Sequence, residues 1–79
     1  MTLRQFIEKI RKRQAEGVMI FYEGELIPNP SWIVEPDCIA MKPSENVTYT
    51  LWERGEGETQ AEALKVLRPM FKFLIPVAL

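Results

Sequence analysis

The sequence predicts a single α+β domain in which an N-terminal helix and a C-terminal helix pack on one face of a small antiparallel sheet. Three patterns support this fold class: a helical apolar stripe at the start of the chain, short β-rich runs separated by turns in the middle, and a second helical stripe near the end. A chain of 79 residues can bury one hydrophobic core but is too short for two. We therefore expect residues 1–79 to form one domain.

The first predicted helix begins at Thr2 and stops at Gly17. Thr2 and Gln5 have the spacing of a capping box, and glycine most readily takes the left-handed conformation that ends a helix. The apolar residues between them recur at helical spacing, which forms a stripe about 100° wide. This face of the helix is expected to lie on the sheet and consists of Leu3, Phe6, Ile7 and Ile10.

The middle of the chain is predicted to form three to five short strands. Apolar, β-branched and aromatic runs alternate there with turns rich in proline, glycine and acidic residues. Because short turns join them, neighbouring strands are expected to pair antiparallel. Trp52 shares a strand face with two threonines and is expected to be exposed, whereas Trp32 is expected in the core. The runs are residues 18–22, 26–27, 31–35, 38–41 and 47–53.

The second predicted helix begins at Thr59, where Glu62 completes a second capping box. Its apolar residues keep helical spacing straight through Pro69, so the pattern favours one helix kinked at that proline over two short helices. Pro76 is expected to end this helix. The apolar stripe consists of Ala63, Val66, Leu67, Met70, Phe71 and Leu74.

Charge is divided unevenly along the chain. Residues 2–16 carry a net charge of +3, residues 17–63 carry −7 and residues 64–79 carry +3, which together make the net charge of −1. With both helices on one face of the sheet, the basic segments would lie on one side of the molecule. The acidic loops would then lie on the other side.

The residue types that catalysis most often needs are scarce in this chain. Histidine, the commonest general base and metal ligand, is absent, and Cys38 is alone. One cysteine cannot build a thiolate zinc site, and the segment from Gly55 to Gly57 is too short and too acidic to cradle a phosphate. The sequence therefore predicts a non-enzymatic protein that works by binding, with no metal and no cofactor.

An unusually apolar C-terminal segment is the strongest indication of a binding surface. Leu64, Phe73 and Ile75 widen the apolar arc of the last helix to about 200°, which is twice that of an ordinary surface helix. Either the first helix covers the additional residues, or they form an exposed patch for a homodimer or a protein partner. The predicted partner-binding residues are Phe73, Ile75, Val77, Ala78 and Leu79, together with Trp52, Glu53, Glu56 and Glu58.

These features predict a small protein-binding module that acts as an inhibitor or adaptor of a larger complex, such as a nucleoprotein. In size the chain is similar to phage-encoded inhibitors of bacterial defence systems, anti-CRISPR proteins among them. Its acidic middle would then imitate nucleic acid and occupy a basic groove. Charged residues near the N-terminus, and a longest apolar run of seven residues against roughly 20 for a membrane span, favour the cytoplasm over a membrane.

The alternative is a nucleic-acid-binding domain that uses the first helix, because lysine and arginine neutralise phosphates. On a helical wheel these cations spread around the whole polar face, which is typical of a solvated helix surface. The acidic middle of the chain would also repel a long duplex. The cations in question are Arg4, Lys9, Arg11, Lys12 and Arg13.

Two segments resemble known families. The order helix, strands, helix, with residues 30–35 and 55–63, is similar to a double-stranded-RNA-binding domain, which implies RNA contacts from a lysine-rich helix start. This chain has Thr-Gln-Ala-Glu-Ala-Leu at residues 59–64, without those lysines, so the resemblance implies a relative that has lost RNA binding. The step from residue 57 to residue 64 equally resembles the strand-to-helix step of HicB-type antitoxins. A capped helix start after a strand accounts for both resemblances, and no family is assigned.

Overall fold

The computed structural model describes residues 1–74 and contains two α-helices, one 3₁₀ turn and six strands in that part of the chain. The predicted α+β class is confirmed, with an α-helix in the N-terminal part of the chain and another in the C-terminal part. In chain order the elements are α1 (Leu3–Ala15), β1 (Met19–Tyr22), β2 (Glu25–Leu26), β3 (Ser31–Val34), β4 (Cys38–Ser44), β5 (Val47–Glu53), α2 (Gln60–Leu67), a 3₁₀ turn (Arg68–Met70) and β6 (Phe71–Leu74).

The strands form two three-stranded antiparallel sheets instead of the single sheet of three to five strands that the sequence predicts. Sheet A has the order β2-β1-β6 and sheet B has the order β3-β4-β5. The sheets separate at the segment 28–30, where two prolines lack the backbone N–H groups that a continuing ladder would need. The second neighbour of β1 is then β6, from the far end of the described chain.

The apolar face of α1 is the surface on which both sheets pack. Its predicted stripe is buried, and Ile7 is buried completely. The predicted capping box is present, because Thr2 Oγ1 accepts from Gln5 N at 3.1 Å and Gln5 Oε1 accepts from Thr2 N at 2.8 Å. One hydrophobic cluster joins the stripe to sheet A, sheet B and α2 through Ile20, Ile27, Ile39, Met41, Leu51, Trp52, Ala63, Leu64, Leu67 and Phe71.

The predicted helix kinked at Pro69 is wrong, because α2 ends before the proline and β6 begins two residues after it. The start of α2 is as predicted, with a capping box at Thr59. A proline inside a helix removes a hydrogen bond and collides with the preceding turn, whereas β1 offers a free edge to all four residues of β6. Phe71 then packs edge-on against Phe6, with ring centroids 5.8 Å apart. The helix end predicted at Pro76 lies outside residues 1–74.

Trp52 is buried, so the prediction that it is exposed is wrong. The pairing of β5 with β4 skips Leu51, since the residues on either side of it pair with consecutive residues of β4. Such a bulge shifts the alternation by one residue, and Leu51 and Trp52 therefore both face the core. The Trp52 indole Nε1 donates to the Glu58 carbonyl at 2.9 Å, which ties the turn before α2 to β5.

Gln14 joins α1 to the loop between the two sheets. Its Nε2 donates to the Pro30 carbonyl at 3.0 Å and to Asn29 Oδ1 at 3.3 Å. Its Oε1 accepts from the Trp32 indole Nε1 at 2.8 Å. Trp32 is half-buried at the margin of the core, where the sequence predicts it inside. One glutamine side chain thus positions the first strand of sheet B relative to the helix.

Gln14→Met is expected to lower the free energy of unfolding by about 1–3 kcal/mol, because the variant leaves the part-buried Trp32 indole and the Pro30 carbonyl without their partner. Urea denaturation measures the change. Lys12→Met is the matched control, since Lys12 is exposed on the same helix, and its effect is expected to stay within about 0.5 kcal/mol. Equal stabilities for the two variants would show that the Gln14 hydrogen bonds do not stabilise the fold.

Candidate functional site

A groove lies between α1 and β6, on the side of sheet A that faces the helix; we call it the α1–β6 groove. It holds a cavity of about 330 Å³. Phe6 and Ile10 of α1 are buried in its floor, and Phe73 of β6 is half-buried there. The floor is therefore apolar. The lining residues are Met1, Phe6, Lys9, Ile10, Arg13, Arg68 and Phe73.

Three cations stand at the margin of the α1–β6 groove. Lys9 and Arg13 lie about one helical turn apart on α1, and Arg68 comes from the 3₁₀ turn just before β6. The Arg13 guanidinium carbon lies 5.9 Å from the centre of the Phe73 ring, within the range of a cation–π contact. Among the described residues that line the groove, none is acidic. The groove therefore combines an apolar floor with a positive margin.

An open strand edge lies beside this groove. Within residues 1–74, β6 pairs with β1 on one side and with no strand on the other. The ladder extends one step further to Glu23, whose N–H donates to the Met70 carbonyl at 2.9 Å. Because hydrogen-bonded pairs alternate along an antiparallel ladder, the backbone groups of Lys72 face β1. Those of Phe71 and Phe73 point to the open edge, which can accept another strand.

The opposite face of sheet A carries exposed apolar side chains next to the same edge. Met19 pairs with Leu74 across β1 and β6, and cross-strand partners share a face. Phe21 shares that face and pairs with Leu26 of β2. Leu74 is 53% exposed and Leu26 is 47% exposed. Lys72 of β6 lies on this face as well, opposite Phe21, and is exposed. The open edge of β6 is thus flanked by the apolar floor on one face of the sheet and by apolar side chains with a lysine on the other.

The structure divides the predicted partner-binding residues. Phe73 belongs to the α1–β6 groove, whereas Trp52 lies in the core and is not available to a partner. Glu53 and Glu56 are exposed at the end of β5 and in the turn after it, and Glu58 is half-buried. The predictions that lie outside residues 1–74 are those for Ile75, Val77, Ala78 and Leu79.

The five cations predicted for nucleic-acid contact are also divided. Lys9 and Arg13 line the α1–β6 groove. Arg4 donates to a backbone carbonyl just after β3, and Arg11 is paired at 3.1 Å with a glutamate on its own helix. Lys12 is exposed in the last turn of α1. Two of the five cations are therefore engaged by other groups of the chain, and two others line the groove.

An acidic environment surrounds Cys38 at the start of β4. Cys38 pairs with Glu53 across the β4–β5 ladder. Partial burial raises the pKa of the Cys38 thiol, and the negative charge of Glu53 raises it further, followed by the charges of Glu35 and Glu56. A thiol with a raised pKa carries little thiolate near neutral pH and is a poor nucleophile.

Sequence reasoning missed the contribution of Arg68 and Met1 to the groove, and it missed the open edge of β6. A signal for the strand was present, because residues 71–74 alternate aromatic, lysine, aromatic and leucine side chains. The helical spacing of apolar residues over the longer segment 63–74 indicated a helix instead. No sequence signal could place Arg68 in the same groove as Arg13, since α1 and the 3₁₀ turn line one groove only through the docking of β6.

Alkylation of Cys38 by iodoacetamide at about pH 8 is expected to be slower in the native chain than in the urea-unfolded chain, because the raised pKa leaves less thiolate. Glu53→Gln removes a neighbouring negative charge, lowers the pKa of the thiol and is expected to speed the reaction about twofold. Mass spectrometry follows the reaction. Glu25→Gln is the control, because Glu25 lies on sheet A, and it is expected to leave the rate of alkylation unchanged. Equal rates of alkylation in the Glu53→Gln and Glu25→Gln variants would contradict this cause of the raised pKa.

Among residues 1–74, no cluster of His, Cys, Asp or Glu could hold a metal ion, and no helix is long and apolar enough to cross a membrane. Comparison with protein-family models, with curated proteins and with solved structures finds no match to this chain.

Proposed function

We propose that this chain is a small, non-enzymatic, cytoplasmic module that binds a partner protein and acts as an inhibitor or adaptor of a larger complex. The α1–β6 groove and the open edge of β6 together form the binding surface, on which an extended segment of the partner becomes a fourth strand of sheet A. The observation that carries this proposal is that the open edge and the apolar floor lie side by side. A partner strand gains backbone hydrogen bonds and side-chain burial at the same place.

The energetics support binding of a short segment. Each backbone hydrogen bond made at the edge contributes about 0.5–1.5 kcal/mol, and burying one large apolar side chain contributes about 1.5–3 kcal/mol. Ordering an extended segment costs part of this sum. After this cost a typical segment is expected to bind weakly, and only the best-fitting sequences are expected to reach a Kd of about micromolar order. Weak binding of one segment suits an inhibitor or adaptor that engages a larger machine. Glu53, Glu56 and Glu58 stay predicted as a second contact, at the end of β5 and in the segment before α2.

Nucleic-acid binding by α1 is the competing function, and it has less support. A mobility-shift titration at low salt is expected to show no retardation of DNA or RNA by micromolar protein, because the apolar floor offers nothing to phosphates and the acidic loops repel them. Retardation that disappears in Arg13→Glu and persists in Glu53→Gln would favour nucleic-acid binding instead.

Peptides selected from a displayed random library on the full chain test strand addition. They are expected to bind with a Kd of about micromolar order. Phe73→Ala is expected to weaken them about fivefold, because the floor loses its ring. Phe73→Pro also removes the backbone N–H that points to the open edge, and is expected to weaken binding about tenfold further.

Phe73→Ala is the matched control for Phe73→Pro, since both variants lose the ring and only the proline variant loses the N–H. Unfolding midpoints within a few degrees of the wild type show that each variant is folded. A second control changes the peptide instead of the protein. Alternate residues of an added strand direct their N–H groups toward β6, so N-methylation of one alternate set of residues is expected to abolish binding and N-methylation of the other set is not. Equal affinities for the two Phe73 variants, or a library from which no peptide is enriched, would contradict strand addition.

A further inference from the structure

We infer that the partner segment has the pattern acidic–x–apolar–x–acidic. Its apolar side chain lies on the floor of the α1–β6 groove, and its two acidic side chains lie beside Arg13 and Arg68. This inference rests on the proposed function and adds to it the chemistry of the partner. It follows from the spacing of a strand, the content of the groove and the position of the cations.

The spacing comes from strand geometry. Side chains of a strand added to β6 would alternate between the two faces of sheet A, so every second residue would face α1. Such residues are about 6.8 Å apart, and three in succession span about 14 Å. This length is comparable with that of β6 and the turn before it. The pattern therefore has three positions that face the groove, separated by residues on the other face.

The central of these three positions is apolar. Phe6 and Ile10 are buried in the floor, and Phe73 is half-buried beside the edge on which the partner would lie. The cavity of about 330 Å³ has room for an aliphatic or aromatic side chain from the added strand. A polar side chain placed there would lose its hydrogen bonds to water without gaining others.

The two outer positions are acidic because the arginines lie toward the two ends of the floor. Arg68 comes three residues before Phe71, at the start of β6, whereas Arg13 lies over Phe73, nearer its end. Lys9 stands about one turn before Arg13 on the same helix, so the positive margin is continuous along α1. Carboxylates at the outer positions would form charge-assisted hydrogen bonds with these guanidinium groups. Lysine or arginine there would be repelled.

Charge also distinguishes this partner from two other occupants. A second copy that paired its own β6 with this edge would bring two equally positive margins together, which opposes a symmetric dimer through β6. A phosphate backbone would satisfy the cations but leave the apolar floor uncovered. An acidic segment with an apolar centre is the occupant that uses every part of the groove.

Labelled synthetic peptides and the full chain test this pattern by fluorescence anisotropy. The test peptide has the core Glu-Thr-Leu-Thr-Glu between glycines, and its symmetry suits either strand direction. A register control, Thr-Glu-Leu-Glu-Thr, has the same composition with its acids on the other face, where they meet Lys72 instead of the two arginines, and is expected to bind about fivefold more weakly. A charge control, Lys-Thr-Leu-Thr-Lys, is expected to bind at least about 30-fold more weakly.

Charge reversal in the protein completes the test. Arg13→Glu combined with Arg68→Glu is expected to weaken the test peptide at least about 20-fold and to strengthen the lysine peptide by a similar factor. Lys12→Glu combined with Lys65→Glu is the matched control, because both lysines are exposed, neither lines the groove and the charge change is equal. It is expected to change either affinity less than about twofold.

Failure of this inference is distinguishable from failure of the proposed function. The acidic pattern is overturned if the test and lysine peptides bind equally, or if the charge-reversed variant does not prefer the lysine peptide. Strand addition is still supported if the library peptides bind Phe73→Pro more weakly than Phe73→Ala. A molecular mass of two chains for the wild type in solution, and of one chain for Phe73→Pro, would show that the edge binds a second copy of the chain. That result overturns the inference.

Discussion

The fold depends on one shared surface, the apolar face of α1. Small sheets with strands of two to seven residues bury little by themselves, and here two of them use the same helix. Ile7 is completely buried, and the cluster around it includes Ile20 of sheet A and Ile39 of sheet B. Because only this face is needed for the core, the flank of α1 is free to place Lys9 and Arg13 in the groove. The apolar stripe of α1 thus supports the fold, and its residues Phe6 and Ile10 also form the groove floor, while the flank of the helix supplies the cations.

Local patterns in the sequence predict the parts of the fold that depend on neighbouring residues. The stripe of α1 and the capping boxes at Thr2 and Thr59 are recognisable because each involves residues within a turn or two of each other. The bulge at Leu51 and the strand after Pro69 depend on partners distant in the chain. Alternation along β5 predicts an exposed Trp52, because it does not show that the pairing with β4 skips Leu51. Helical spacing near Pro69 does not show that β1 has an edge to which β6 can pair.

The candidate site was predictable to a smaller extent than the fold. Phe73 was predicted for a partner surface because it is apolar and lies in an apolar segment, and the groove includes it. Arg13 was predicted as one of five cations for nucleic-acid contact and Arg68 only as part of a basic segment, since nothing local says that a helix and a distant strand will line one groove. The same limit applies to Cys38. The sequence shows that the middle of the chain is acidic, but only the β4–β5 ladder shows that glutamates lie close to the Cys38 thiol.

The position of β6 has a consequence for the order in which the molecule forms. Tyr22 and Phe71 pair across about fifty intervening residues, and closing a loop of that length carries a larger entropic cost than forming the hairpins of sheet B. We therefore expect β6 to dock late. A chain caught before that step would have a core in sheet B but no groove, and a bound segment would hold the last strand in place. Recognition of a partner segment thus depends on the last step of folding.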